Sequence, residues 1–309
     1  MMHKSSSLSA KRYRLSDSLM YWLFTFCGIS AVASVLGIAG YLIWAGIPAI
    51  REIGLTHFLF GTSWRPTGPE PSFGILPMIL SSLTGTALSI SIALPLGVLT
   101  AVFMLESPPP VCQILRPLVE LMAGIPSVIY GMVGSFLLVP AVGRLENLLF
   151  RGNKSHIFTG GANLLSASVI LAVMILPTII HTSEFSQGAV PQELREASVA
   201  LGATEPETMF HTVIPAALQG ILSGAVLGIG RAMGEAMAVM MVSGNAVNLP
   251  LPFNSVRLLA GGIATEMSYS EGLHRKALFS VGLILFVLLL LVGLLPEMFL
   301  KPKGGGKHI

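Results

Sequence analysis

The 309-residue chain is 53% hydrophobic and 11% charged. That is less than half the charged share of about 25% usual in soluble domains, and it places the chain in a lipid bilayer. Its net charge of +3 is dispersed, so no basic footprint for nucleic acid exists. The two cysteines, Cys27 and Cys112, lie far apart in or beside apolar segments and are read as packing residues, since they suggest neither a disulfide framework nor a thiolate metal site.

Lys4, Lys11, Arg12 and Arg14 precede an uncharged run from Ser18 to Ile50. Ala31-Val32-Ala33 has the small-residue pattern of a signal cleavage site. The apolar run continues to Trp44, however, beyond the roughly 7–15 residues of a signal core, so an uncleaved first span is expected from Met20 to Trp44. Residues 46–72 hold Pro48, Pro66, Pro69 and Pro71 with Arg51, Glu52, Arg65 and Glu70, the composition of an aqueous loop. No charge follows until Glu106, and about 20 apolar residues suffice to span, so this interval holds the second span. Pro77 and Pro95 are expected to bound or kink it, and Glu106-Ser-Pro-Pro-Pro110 ends it. The third span is expected from Leu121 to Gly143, kinked at Pro126, followed by a polar loop over 144–161. The fourth runs from Leu164 to Ile180, with Pro177 disrupting its end.

A polar hairpin follows. Pro191 suits the first turn of a helix and Gly202 the residue just past its end, while Leu194, Ala197 and Leu201 share one face. A second short helix starts at Thr204, which stands at capping-box spacing from Glu207 with Pro206 in the first turn, and Pro215 closes it. The fifth span, Ala216 to Val242, is apolar except for Arg231 and Glu235; after an Asn- and Pro-rich loop, Ala277 to Pro296 makes the sixth. Six spans put both termini on one side, and the basic residues ahead of the first argue for the cytoplasm. The expected fold is therefore all-α: a six-helix transmembrane domain over 20–300 that includes a cytoplasmic hairpin at 191–215, with tails at 1–19 and 301–309.

At about 100° per residue, Gly220, Gly224, Gly228, Arg231 and Glu235 fall within about 80° of one another. Glycines four apart admit a neighbouring helix, and an Arg left in hydrocarbon costs about 2.5–3.5 kcal/mol, so this face looks into the protein. Arg231 and Glu235 either neutralise each other in a packed seam or line an anion path. The Arg-before-Glu order is the weaker intrahelical arrangement and leaves Arg231 freer to bond an anion. Glu120 is either a third polar group near that path or a solvated helix end.

Glu196-Ala197-Ser198, Gly202 and Ile214-Pro215 resemble, at the same spacing, the signature of ABC importer permeases, in which Glu-Ala-Ala is followed by Gly and an Ile-x-Leu-Pro ending. Ser198 stands where Ala is usual, Thr212 where Ile is, and Ile214 where Leu is. Phe73-Gly-Ile-Leu-Pro77, Arg116-Pro117, Glu120, the Gly124 to Gly131 segment, the Gly228 to Glu235 segment and Gly272-Leu-His274 are similar to the PstC-type phosphate importer permease. The resemblance implies a type I importer permease of the bacterial inner membrane, without a cofactor, that pairs with a PstA-type permease, two cytoplasmic ATPase subunits and an external phosphate-binding protein. It also implies that Glu196, Ala197, Gly202, Ile214 and Pro215 couple to the ATPase.

The chain has no G-x-x-x-x-G-K-[ST] stretch, so nucleotide hydrolysis falls to another chain, and no H-E-x-x-H for metal chemistry. Gly228-x-Gly230-x-x-x-Gly234 is one residue too long for a dinucleotide fingerprint and lies within a span. The alternatives are a permease for another oxyanion, the PstA-type partner, or a self-contained secondary transporter or channel. The last would carry ion-coupling carboxylates in several spans or an internal repeat.

Overall fold

A computed structural model describes the backbone of residues 5–152 and 156–299 and the side chains of 20–152 and 156–294. The expected tail at 301–309 lies outside the described residues. Among them, five helices are long and apolar enough to cross a membrane: Met20–Ile53, Leu76–Glu106, Ser127–Leu149, Leu164–Gly188 and Gly272–Leu294. A bent pair, Glu205–Ala216 with Leu218–Gly234 at 69°, brings the count up to six when taken as one broken span, its uninterrupted apolar part being Leu218–Gly234. The six-span expectation stands, but several boundaries move.

Helix α1 (Ser5–Ile53) runs through Pro48 and takes in the start of the expected loop. Packing against the last helix holds it straight there: Ser280 Oγ donates to Gly46 O at 2.6 Å, and Ala49 is fully buried. The rest of 46–72 is ordered too, as α2 (Leu55–Phe60) and a two-stranded hairpin, β1 (Trp64–Arg65) with β2 (Ser72–Phe73), in the register Trp64 opposite Phe73. Helix α3 (Leu76–Glu106) starts with Pro77 in its first turn and ends before Ser107, as expected, while Pro95 lies inside it.

The third crossing is displaced from 121–143 to 127–149. Pro126 does not kink a span; it separates two helices, α4 (Pro109–Gly124), which is amphipathic, and α5 (Ser127–Val133), for which Pro126 is the N-cap. A π-turn over Gly134–Leu138 then leads into α6 (Val139–Leu149), which carries Pro140 in its first turn. Proline offers no N–H and crowds the carbonyl four residues back, and a widened turn relieves both. This crossing contains Arg144 and Glu146, which the sequence assigned to a loop. Glu146 is fully buried and accepts from His156 Nε2 (2.9 Å), Thr159 N (2.9 Å), Thr159 Oγ1 (3.0 Å) and Gly161 N (3.2 Å). It thereby ties the outer loop to α6.

Helix α7 (Leu164–Gly188) passes its buried Pro177 without a break and extends eight residues beyond the expected end at Ile180. It is the central helix. Of its most apolar window, 67% is buried within the chain, against 28% or less in the other single-helix crossings, so neighbouring helices restrain the backbone around the proline. The hairpin consists of α8 (Gln192–Ala200), α9 (Glu205–Thr208), a π-turn (Met209–Val213) and α10 (Ile214–Ala216). Pro215 does not close it, because the π-turn absorbs the proline and the chain bends at Ala217 instead.

The fifth span is two helices, α11 (Leu218–Gly234) and α12 (Met237–Val242), broken at Glu235 and Ala236. The loop after it contains α13 (Leu259–Glu266), and α14 (Gly272–Phe299) is the last crossing. On the same face as the β-hairpin, Glu266 collects Trp64 Nε1 (2.9 Å), His274 Nε2 (2.8 Å) and Arg257 Nη1 (2.5 Å). His274 therefore anchors α14 to α13. Cys112 Sγ donates to Met104 O at 3.0 Å, whereas Cys27 is exposed on α1 and so packs against nothing in its own chain among the described residues.

Removing the Glu146 carboxylate takes the acceptor from the half-buried Thr159 N–H and leaves the buried Gly161 N–H only its longer bond to Thr159 Oγ1 at 3.3 Å, a loss of about 1–3 kcal/mol. Glu146→Ala is expected to lower the thermal midpoint of the purified protein by several degrees, with Glu146→Gln between it and wild type; melting in detergent checks this.

Candidate functional site

The first part of the site is the hairpin. Gly202 has φ +91°. Its N–H bonds Val199 O (2.9 Å) and the Ala203 N–H bonds Ser198 O (3.2 Å), the pattern that closes a helix on a left-handed residue. The Thr204–Glu207 capping box forms: the Thr204 N–H and hydroxyl both donate to Glu207 Oε2 at 2.8 Å. The backbone bond leads in holding the Glu207 carboxyl below the usual carboxylate range. Ser198 and Thr212, two of the three departures from the permease signature, are partners. Thr212 Oγ1 and Thr208 Oγ1 donate to Ser198 Oγ at 3.3 and 2.9 Å, so the hydroxyl that replaces a methyl is satisfied by the hydroxyl that replaces a branched chain.

No residue of α8 is buried. The predicted apolar face of Leu194, Ala197 and Leu201 points away from the chain, with Leu201 90% exposed, and Glu196 and Pro215 are exposed beside it. Ile214 turns inward to the cluster of Val190, Met209, Val213, Ala217 and Ile221. This apolar helix face on a polar hairpin is left uncovered by the described residues of its own chain.

The second part is the seam between α7 and α11. A Cβ on Gly220 would collide with Ser186 Oγ, one on Gly224 with Thr182 Oγ1, and one on Gly228 would touch Ile179 at 3.4 Å. The three predicted glycines therefore do pack a helix, and they set an antiparallel register along α7. Continuing it brings Arg231 to Thr178, whose Oγ1 lies 3.5 Å from Arg231 Nη1. Thr178 is just past the middle of α7, and Arg231 is exposed on the isolated chain.

Glu235 does not share this face. The helix ends at Gly234, Glu235 is extended (φ −74°, ψ 123°), and its Oε1 accepts the Ala238 N–H at 3.0 Å, capping α12. The helical-wheel position and the pairing of Arg231 with Glu235 both assumed an unbroken helix, and the break removes them. Glu120 lies on α4 and lines a cleft of about 590 Å³ with Arg116, His181 and Glu184, next to the Arg116–Glu184 ion pair of 2.6 Å. Sequence reasoning missed that pair. Its partners are 68 residues apart, and only the elbow at Pro126 brings α4 against α7.

A bundle of five or six apolar crossings joined by an exposed polar hairpin defines a multi-pass membrane permease. The chain belongs to the family of binding-protein-dependent transport system inner membrane components, whose model matches residues 93–300. It is 37% identical over 288 residues to the probable ABC transporter permease protein YqgH of Bacillus subtilis, covering 91% of this chain and 90% of that one. It is 34% identical over 303 residues to the phosphate transport system permease protein PstC of Mesorhizobium japonicum (94% and 92%) and 32% identical to that of Pasteurella multocida (96% and 98%). Among solved structures, a bacterial alginate ABC transporter shares the fold at a TM-score of 0.62 and 16% identity, covering 96% of this chain and 98% of that one. The MetNI methionine ABC transporter does so at 0.53 and 21%, covering 75% and 95%.

A side chain at Gly202 strains the left-handed turn by about 1–2 kcal/mol, although open space surrounds the position. Gly202→Val is expected to insert and purify normally but to lose most transport, because the docking helix reorients. Uptake per inserted copy measures this, and normal uptake rejects the hairpin as the coupling element.

Proposed function

We propose that this chain is one of two permease subunits of an ATP-driven importer of inorganic phosphate. It forms half of the pathway beside a PstA-type permease, receives its cargo from an external phosphate-binding protein, and seats one of two cytoplasmic ATPase subunits on its hairpin. Both termini are then cytoplasmic, as the basic residues before α1 favour. The relatives named PstC, alike over nearly the whole chain, support the substrate.

Arg231 carries the reading. An exposed guanidinium at mid-membrane depth would cost about 2.5–3.5 kcal/mol facing lipid, so it faces a partner subunit or a watered path. With a single hydroxyl at 3.5 Å, it keeps most of its donors for a ligand. Its planar fork matches two phosphate oxygens at once, which a lysine does not reproduce. Gly220, Gly224 and Gly228 hold it in register, Glu235 caps the helix break beyond it, and Glu120 stands nearer the hairpin side of α7.

In a strain lacking the chain, complementation with Arg231→Gln is expected to abolish phosphate uptake and Arg231→Lys to restore part of it. Glu235→Gln is milder, since an amide oxygen still caps Ala238. The ATPase subunits co-purify with all three. Radiolabelled phosphate uptake, with sulfate and molybdate as competitors, measures the outcome. Wild-type uptake by Arg231→Gln removes the residue from the pathway.

A further inference from the structure

We propose that Arg195 is the strut through which movement of the docking helix reaches the membrane, an inference that rests on the hairpin being the ATPase seat. Helix α8 buries no residue, so it lacks the apolar packing that joins the second half of the hairpin to α3 and α11. Ser198 bonds only within the hairpin, to Thr208 and Thr212. Among the described residues, Arg195 is the one side chain of α8 hydrogen-bonded outside it. The guanidinium is turned inward and 21% exposed. Its Nη2 donates to Gln187 O at 2.9 Å, a carbonyl in the last turn of α7 that also receives the Val190 N–H at 3.3 Å. Its Nη1 lies 3.6 Å from Glu106 Oε1, at the last residue of α3, and 3.7 Å from Met209 Sδ in the π-turn.

One planar group thus joins α8 to the ends of α3 and α7, which pack along their length, and α7 holds Thr178 against Arg231. Near the end of α7, Glu184 is paired with Arg116 of α4, whereas Ser183 Oγ and both amide atoms of Gln187 are buried without a partner, so the bond from Arg195 is the side-chain contact that ties the last turn of α7 to α8. A push on α8 is transmitted through that bond and through the Glu106 contact. Arg195 is a positioning residue: it touches neither nucleotide nor cargo.

The test uses the complete importer, with both permeases, the ATPase subunits and the binding protein, in proteoliposomes, and reads phosphate taken up per ATP hydrolysed. Arg195→Ala is expected to lower that ratio about tenfold or more, the change that follows loss of a charge-assisted hydrogen bond, while the ATPase subunits stay bound. Arg195→Lys should fall between, because a point charge reaches Glu106 or Gln187 O but does not span both. Glu106→Gln, which leaves the hairpin untouched, should lower the ratio less, and it decides the matter if Arg195→Ala does not assemble. An unchanged ratio in the assembled Arg195→Ala complex overturns the strut, as does uptake and hydrolysis falling in parallel; so does an unchanged ratio in Glu106→Gln if Arg195→Ala does not assemble. Failure of the wild-type complex to couple uptake to ATP would instead overturn the importer reading.

Discussion

The close approach of α11 to α7 is the contact on which the rest of the molecule depends. Three glycines remove the side chains that would hold the helices apart, and Ser186, Thr182 and Ile179 fill the space. Gly97 of α3 likewise leaves no room for a Cβ beside Ile179, the same side chain that meets Gly228, so α3 and α11 both close on the central helix at this point. Between lipid-soluble helices there is little hydrophobic drive to associate, and close backbone packing supplies the attraction instead. Because α7 and α11 are antiparallel and in fixed register, the place of Arg231 beside the middle of α7 follows from where the glycines stand.

A second constraint is that hydrocarbon leaves no water for an unpaired backbone group. Each interruption of a crossing is repaired locally. At the elbow before Pro126, Tyr130 Oη donates to Met122 O at 2.6 Å, one of the orphan carbonyls at the end of α4. At the break after Gly234, the Glu235 carboxylate takes up the Ala238 N–H. Before Pro140 and Pro215, π-turns re-route the hydrogen bonds. The breaks keep the helices joined while allowing them to change direction, which suits a permease whose pathway must open on alternate sides.

The hairpin differs in its apolar surface. Its polar groups are met within the hairpin itself, the turn sealed by Gly202 and the capping box, while its apolar face stays uncovered. What it shares with the membrane part is a polar strut and a small apolar cluster.

The sequence by itself determined the membrane class, the number of crossings, the hairpin with its left-handed glycine and capping box, and the glycine ridge that carries Arg231. These follow from local rules: runs of apolar residues, cap chemistry and helical spacing. Tertiary structure decided what prolines do. Pro48 and Pro95 pass inside helices on exposed faces and Pro177 passes buried among neighbours, whereas Pro126 divides two helices. It also decided the fate of Glu235, placed beside Arg231 by spacing and carried off that face by a helix break, and of Glu146, assigned to water and found fully buried. The bonds Arg116–Glu184, Arg195–Gln187 and Glu266–His274 are invisible in the chain, because each partner is chosen by helix packing and not by any spacing along it.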